Sequence, residues 1–255
     1  MSEQSYLSIY AKSFNWAGFF LPKQTYLKCS ALYDFCRVVD NIADSNETIE
    51  IKKIKFLDFQ QNFNNHKFDD PIIKNMWQLI NEFNIPLKVV HDLLDGINSD
   101  IQKNIKLNKK KDLLLYSYRV AGTVGLMMAK ILRVNKKSSL KSAIDLGIAM
   151  QLTNISRDVV EDLNFGRSYI NLNFEEIRST IELSENYYKN SFYSIKEIPF
   201  TFRFAILVAR RVYRKIGYKI LRKQNLEDYR KSGKIYVSNI EKIIETLLSI
   251  FDLIK

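Results

Sequence analysis

The chain has 255 residues, with 39 Lys plus Arg against 28 Asp plus Glu, and its formal net charge of +11 favours an anionic partner: nucleic acid, a membrane surface or a phosphorylated substrate. Its two cysteines, Cys29 and Cys36, offer neither a disulfide framework nor a zinc site and point to a reducing interior. The N-terminus lacks the order of a secretion signal and no run of about 18 apolar residues occurs, so a soluble or peripheral protein without a membrane anchor is expected.

In chain order, the pattern is almost all helix, punctuated by only 8 Gly and 4 Pro. Residues 2–20 form a short aromatic-rich entry. Pro22 then sits where a helix can begin, and Tyr26, Leu27, Ala31, Leu32, Phe35, Val38, Val39 and Ile42 continue an apolar stripe at spacings of three and four. This helix carries Asp40 and Asp44 near its end. Helices follow over 48–63, 71–83 and 86–102, and the lysine-rich KLNKKK makes a solvated connection. Residues 112–132 are apolar on nearly all sides and predict a buried helix. Its small Ala121, Gly122 and Gly125 let a neighbour or ligand approach, or let the helix bend. Further helices are predicted over 138–163, 174–193, 199–224 and 237–253. No composition shift marks a boundary, so residues 1–255 read as one all-α domain.

The stretch QLTNISRDVVEDLNFGRSY, residues 151–169, places Asp158 and Asp162 four apart, on one helical face. Asp40 and Asp44, in YDFCRVVDNIAD, repeat the spacing, again with an arginine shortly before the first acid. One such pair is ordinary surface pattern. Here both pairs sit among apolar residues, with Arg37 beside one and Gln151, Asn154 and Arg157 beside the other. Carboxylates so placed shift their pKa or destabilise the fold unless a cation joins them. Two facing helices would line a cavity with four carboxylates, which suits Mg²⁺, an ion that uses one or two carboxylates plus phosphate oxygens.

Tyr116, Tyr118, Tyr169, Tyr213 and Tyr236 read as core aromatics, or as faces and hydroxyls that serve a carbocation and a phosphate. Arg203, Arg210, Arg211, Arg214, Lys215, Lys219, Arg222 and Lys223 give one helix a basic side, read as a solvated face or as a surface for an anionic membrane or RNA. No RNA-binding signature accompanies it. His66 and His91 lie far from either acid pair and are expected at the surface, so a histidine metal site or a Ser-His-Asp nucleophile has no support.

At SFNWAGFFLP, YDFCRVVDNIAD, YRVAGTVGLMM and QLTNISRDVVEDLNFGRSYI, four segments in order, the sequence resembles the squalene/phytoene synthase family of head-to-head trans-prenyltransferases over essentially its whole length. The resemblance implies a single-domain, isoprenoid-synthase-type helical bundle around a central apolar cavity. It implies that Asp40, Asp44, Asn154, Asp158 and Asp162 hold Mg²⁺, with Mn²⁺ as a substitute, and that the four acids with Tyr116 and Tyr213 are catalytic. Lys12, Ser13, Arg37, Gln151, Asn154, Arg157, Tyr169 and Lys234 match positions that bind diphosphate or shape the reaction centre.

The implied chemistry ionises one prenyl diphosphate, adds the alkene of a second, and passes through a cyclopropylcarbinyl diphosphate. Proton loss would then give a conjugated triene such as phytoene, whereas squalene needs hydride from NADPH, and no NADPH is expected here. Three departures stand out: Asn41 replaces a second acid, Lys234 an arginine, and Asn171-Leu172 a Leu-Pro. The wording looks most like bacterial-type phytoene synthases, which use geranylgeranyl diphosphate, with a farnesyl diphosphate enzyme as the alternative. A non-catalytic scaffold explains the charge but not the retained acids. A cytoplasmic protein is expected, peripheral on the inner membrane surface through its basic helix and apolar residues near the cavity mouth, and without a nucleic-acid partner.

Overall fold

The computed structural model describes residues 6–10, 12–102, 104–107 and 109–254. Residues 2–5 and 11 of the expected entry, and Asn108 in the lysine-rich connection, lie outside them. After the short α1 (Tyr6–Tyr10) and α2 (Lys12–Gly18), the long α3 (Lys23–Asp44) starts on Pro22, as its sequence predicts. Helices α4 (Ile49–Asn64) and α5 (Pro71–Phe83) begin on side-chain caps. Thr48 accepts from the Ile51 amide and Asp70 from the Ile72 amide, each satisfying a donor that the first turn leaves without a helical partner. Helix α6 (Leu87–Asn98) stops four residues short of the predicted end.

The apolar run 112–132 is helical as expected, but in three pieces: α7 (Lys110–Ser117), a π-helical turn over Tyr118–Gly122, and α8 (Thr123–Ile131). The wider turn falls on the small residues, where the sequence allows a bend. Glycine also serves close packing here. A Cβ on Gly125 would collide with the Ala143 carbonyl, and one on Gly147 with that of Ala121, so α8 and the π turn lie directly against α9 (Lys137–Asn164). Helices α10 (Phe174–Ile195), α11 (Phe200–Leu221), the short α12 (Leu226–Lys231) and α13 (Asn239–Ile254) complete the chain. Two short strands, β1 (Ile105–Lys106) and β2 (Arg167–Ser168), pair in parallel, a feature the sequence does not announce.

Apolar side chains gather in two cores. Around α3 to α6 and α8, Leu32, Phe35, Val39, Phe63, Leu93 and Met127 are fully buried. Around α9 to α11, Leu152, Ile155, Ile177, Tyr188, Val208 and Val212 are. The polar sides of α3 and α9 meet across a cavity between these cores. Burial pushes the Cys29 and Cys36 thiols up to about 12, in keeping with two unpaired cysteines. His66 is exposed and stacks on Trp77, while His91 is half-buried with its ring edge toward Phe63.

The basic side of α11 corrects an expectation. It is not a solvated face turned toward an anion but a set of internal ion pairs. Arg211 reaches Asp252 at 2.6 Å and Glu245 at 3.3 Å, Lys215 reaches Glu245 at 3.2 Å, and Lys219 reaches Glu241 at 2.9 Å, all on α13. Arg214 holds Glu185 of α10, and buried Arg210 donates to the Tyr188 carbonyl. The periodicity located the cations correctly, but the acids that meet them come from other helices. No helix among the described residues is long and apolar enough to cross a membrane.

Candidate active site

Each of the fourteen residues that the family resemblance assigns to the site lines one cavity of about 890 Å³, as does Tyr236, whereas Tyr118 lies outside the lining and donates to Asp92 at 3.1 Å. Helix α3 supplies Arg37, Asp40 and Asp44, because its apolar stripe turns Phe35 and Val39 into the core and leaves the next face to the cavity. Helix α9 does the same with Gln151, Asn154, Arg157, Asp158 and Asp162, while Leu152, Ile155 and Val159 pack behind them. Lys12 and Ser13 enter from α2, Tyr116 from α7, Tyr169 just after β2, Tyr213 from α11, and Lys234 from the link between α12 and α13. The lining is chiefly polar. Its apolar members are Ile9, Ile155, Phe165, Ile216 and Val237.

The carboxylates are partly countered by cations. Arg37 lies 3.0 Å from Asp40. Arg157 grips Asp158 through Nε at 2.8 Å and through Nη2, and Lys234 reaches the same carboxylate at 3.4 Å and also Glu161. Arg167 donates to Asp44 at 2.7 Å and to the Ala43 carbonyl at 3.1 Å. That guanidinium sits at the C-terminal end of α3, where the helix dipole and Asp44 are both negative.

These cations do not relieve all the crowding. Burial and the neighbouring Asp44 push Asp40 up to about 6; burial and Asp158 push Asp162 up to about 7. Asp40 keeps 43% of its side-chain surface accessible, so the water it meets is cavity water with protein around it. On the cationic side, Lys242 is buried and held below the usual lysine range by burial and by Lys12. The Asn154 Oδ1 atom is buried with no hydrogen-bond partner. Oxygen donors, like-charge crowding and an orphaned carbonyl together fit a hard divalent cation such as Mg²⁺. Among the described residues no three such acids converge as a closed cage, so an ion here would take further ligands from a substrate.

Three participants were missed by sequence reasoning. Asp100, after α6, accepts hydrogen bonds from Tyr116 and Tyr169, each at 2.7 Å, and the two rings stack 4.5 Å apart. Burial raises the Asp100 carboxyl, and burial and Asp100 raise both phenols. Arg167 stood within the quoted motif without a role, and Lys242 in an apolar helix gave no sign at all. Asp100 and Arg167 are brought together by the β1–β2 pairing, in which the Ile105 amide donates to the Gly166 carbonyl.

Comparison with known proteins agrees with this geometry. A family model described as squalene/phytoene synthase matches residues 7–173. The 15-cis-phytoene synthase of Enterobacter agglomerans is 30% identical over 247 residues, covering 84% of this chain and 83% of that protein. The 4,4'-diapophytoene synthase of Staphylococcus haemolyticus is 31% identical over 194 residues, covering 71% and 67%. Among solved structures, a dehydrosqualene synthase in complex with ligand superposes with a TM-score of 0.78 at 29% identity, covering 98% of this chain and 94% of that one. Four ordered motifs, their convergence on one cavity and a match over most of the chain lead to one conclusion: the protein belongs to the squalene/phytoene synthase family and is a prenyltransferase.

Proposed function

We propose that the chain joins two molecules of geranylgeranyl diphosphate head to head, through a cyclopropylcarbinyl diphosphate, to give phytoene at the entry to carotenoids, with Mg²⁺ as its ion. Head-to-head prenyl condensation is the chemistry of its family; the C20 substrate is supported by the wording of the motifs and by the phytoene synthase relatives. The observation that carries the reading is the segregation of like charge in one cavity, which calls for a cation and a polyanion together. Asp40, Asp44, Asn154, Asp158 and Asp162 would hold the ions. Bound there, Mg²⁺ neutralises the diphosphate as it departs.

The chain's own residues do the rest. Lys12, Ser13, Lys234 and Lys242 face the cavity as donors to diphosphate oxygens, and Arg37 and Arg157 set the carboxylates while adding positive charge. Gln151 adds an amide from α9. The allylic cation left when one diphosphate departs is attacked by the alkene of the second chain. Tyr213, with Phe14 at 4.7 Å between ring centres, and the Tyr116–Tyr169 stack offer electron-rich faces to that cation. The protein works at the inner membrane surface, where its lipid substrate and product reside.

A second reading, farnesyl diphosphate as substrate, is favoured by the likeness to the dehydrosqualene synthase structure. Incubation with Mg²⁺ and either diphosphate, without NADPH, separates the two by the extracted hydrocarbon. A C40 triene from the C20 substrate is expected. A C30 product from the C15 substrate alone would replace the first reading with the second, and no product from either would sink both.

A further inference from the structure

Helix α13 reverses the order of a surface helix. Lys242, Glu245, Ser249 and Asp252 point inward and are buried, the two acids held by Arg211 and Lys215. Outward stand Ile240, Ile243, Ile244, Leu247, Phe251 and Ile254, each between 47% and 80% exposed, with no exposed charge among them. Contiguous apolar surface of this kind marks an interaction site. It starts at the cavity, because Ser238, Asn239 and Lys242 line the rim. Helix α2 touches it through Trp16, which donates to Thr246 at 3.0 Å, and Phe19, just past the end of α2 at Gly18, is 72% exposed.

We infer that the outer face of α13, extended by Phe19, seats the protein on an anionic lipid bilayer, the helix lying in the plane of the interface. This rests on the proposed function and names the surface it uses. An apolar face backed by cations is the pattern of an interfacial helix. The rim supplies exposed cations in Lys12 and Lys234, on a chain whose net charge is +11. That charge complements an anionic leaflet and repels a second copy of the same chain. The face also borders the cavity that receives prenyl diphosphates, amphiphiles whose apolar tails partition into lipid.

The test is flotation of the full chain with vesicles of phosphatidylcholine alone or mixed with phosphatidylglycerol, at low salt. Binding to the mixed vesicles is expected, and the pair Leu247→Glu and Phe251→Glu should lower the bound fraction tenfold or more while turnover of detergent-dispersed substrate stays unchanged. A parent that ignores the mixed vesicles, or a double variant that binds them equally, overturns the inference. So does a parent dimer that the same changes split without any lipid binding, which would assign the face to a second copy. Phe251→Trp keeps the face apolar and avoids any folding defect. Its emission should be quenched by lipids brominated in the acyl chain beyond the response of the parent's Trp16 and Trp77, and equal quenching in the two proteins also overturns the inference. A parent chain that forms hydrocarbon yet binds no vesicles would sink this inference alone; a parent that binds vesicles but forms no hydrocarbon would sink only the proposed function.

Discussion

Charge is handled in opposite ways in the layer of α10, α11 and α13 and in the cavity between α3 and α9. In the layer, unlike charges meet: Arg211 with Asp252 and Glu245, Arg214 with Glu185, Lys219 with Glu241. In the cavity, like charges also meet. Asp44 adds to the burial that raises Asp40, Asp158 does the same for Asp162, and Lys12 adds to the burial that lowers Lys242. Opposite pairs complete themselves within the fold. Like-charge crowding persists where something from outside relieves it, which is why strongly shifted groups gather at functional sites.

The sharpest test removes one crowded acid. Asp162→Asn keeps the shape and deletes a charge that burial and Asp158 already disfavour. Turnover should fall on the order of a thousandfold, the scale of losing an electrostatic contact to the departing group. The melting temperature at pH 8 should hold or rise. A variant that loses both activity and stability would show that Asp162 is structural, and the contrast between the two regions would fail.

In the layer the outcome should invert. Arg211→Met leaves Asp252 and Glu245 buried with their shared arginine gone, although Lys215 still touches Glu245. Breaking such a pair should destabilise the protein by about 3 kcal/mol, read from the urea midpoint. Activity per folded molecule should be kept. Equal loss of kcat in folded protein would place Arg211 in the chemistry.

The same contrast explains what the sequence made legible. Asp40 with Asp44 and Asp158 with Asp162 are local signals, i and i+4 on helices whose other sides are apolar, so facing carboxylates could be inferred before any coordinates. The basic side of α11 was equally visible, but its meaning depended on Glu245 and Asp252, which lie 34 and 41 residues beyond Arg211. Asp100 needed the β1–β2 pairing to reach Tyr116 and Tyr169, and Lys242 needed α13 to dock with its polar side inward. Helix ends were read to within a few residues, except at α6, where the chain leaves the helix at Asn98 to carry Asp100 toward the cavity.

Lys242 offers a smaller effect that still separates the regions. Lys242→Gln removes a cation that Lys12 opposes, so an anion should be held less tightly, with KM for the prenyl diphosphate rising about tenfold and kcat little changed. Lys219→Gln, one helix away and paired with Glu241, should leave KM alone. Similar KM values for both variants would deny Lys242 a part in binding.

The smallest effect should appear in protein that has met no substrate. Asp40 and Asp162 are raised from 3.8 to about 6 and about 7, so the folded state binds protons that the unfolded chain has released. Their contribution is therefore fully present below the unfolded pKa and is lost as pH climbs through about 6 to 7. At pH 8 both acids are ionised and crowded, and a divalent cation can take the place of the protons. At pH 5 protons already occupy them and the cation must compete. At a concentration ten times its dissociation constant, Mg²⁺ should add about 1.4 kcal/mol, a rise in melting temperature of about 4 °C at pH 8, and almost none at pH 5. Asp162→Asn should shrink the pH 8 rise, whereas Arg211→Met should lower the whole curve and keep it. An equal rise at both pH values would mean that the ion binds elsewhere and that the crowding serves some other end.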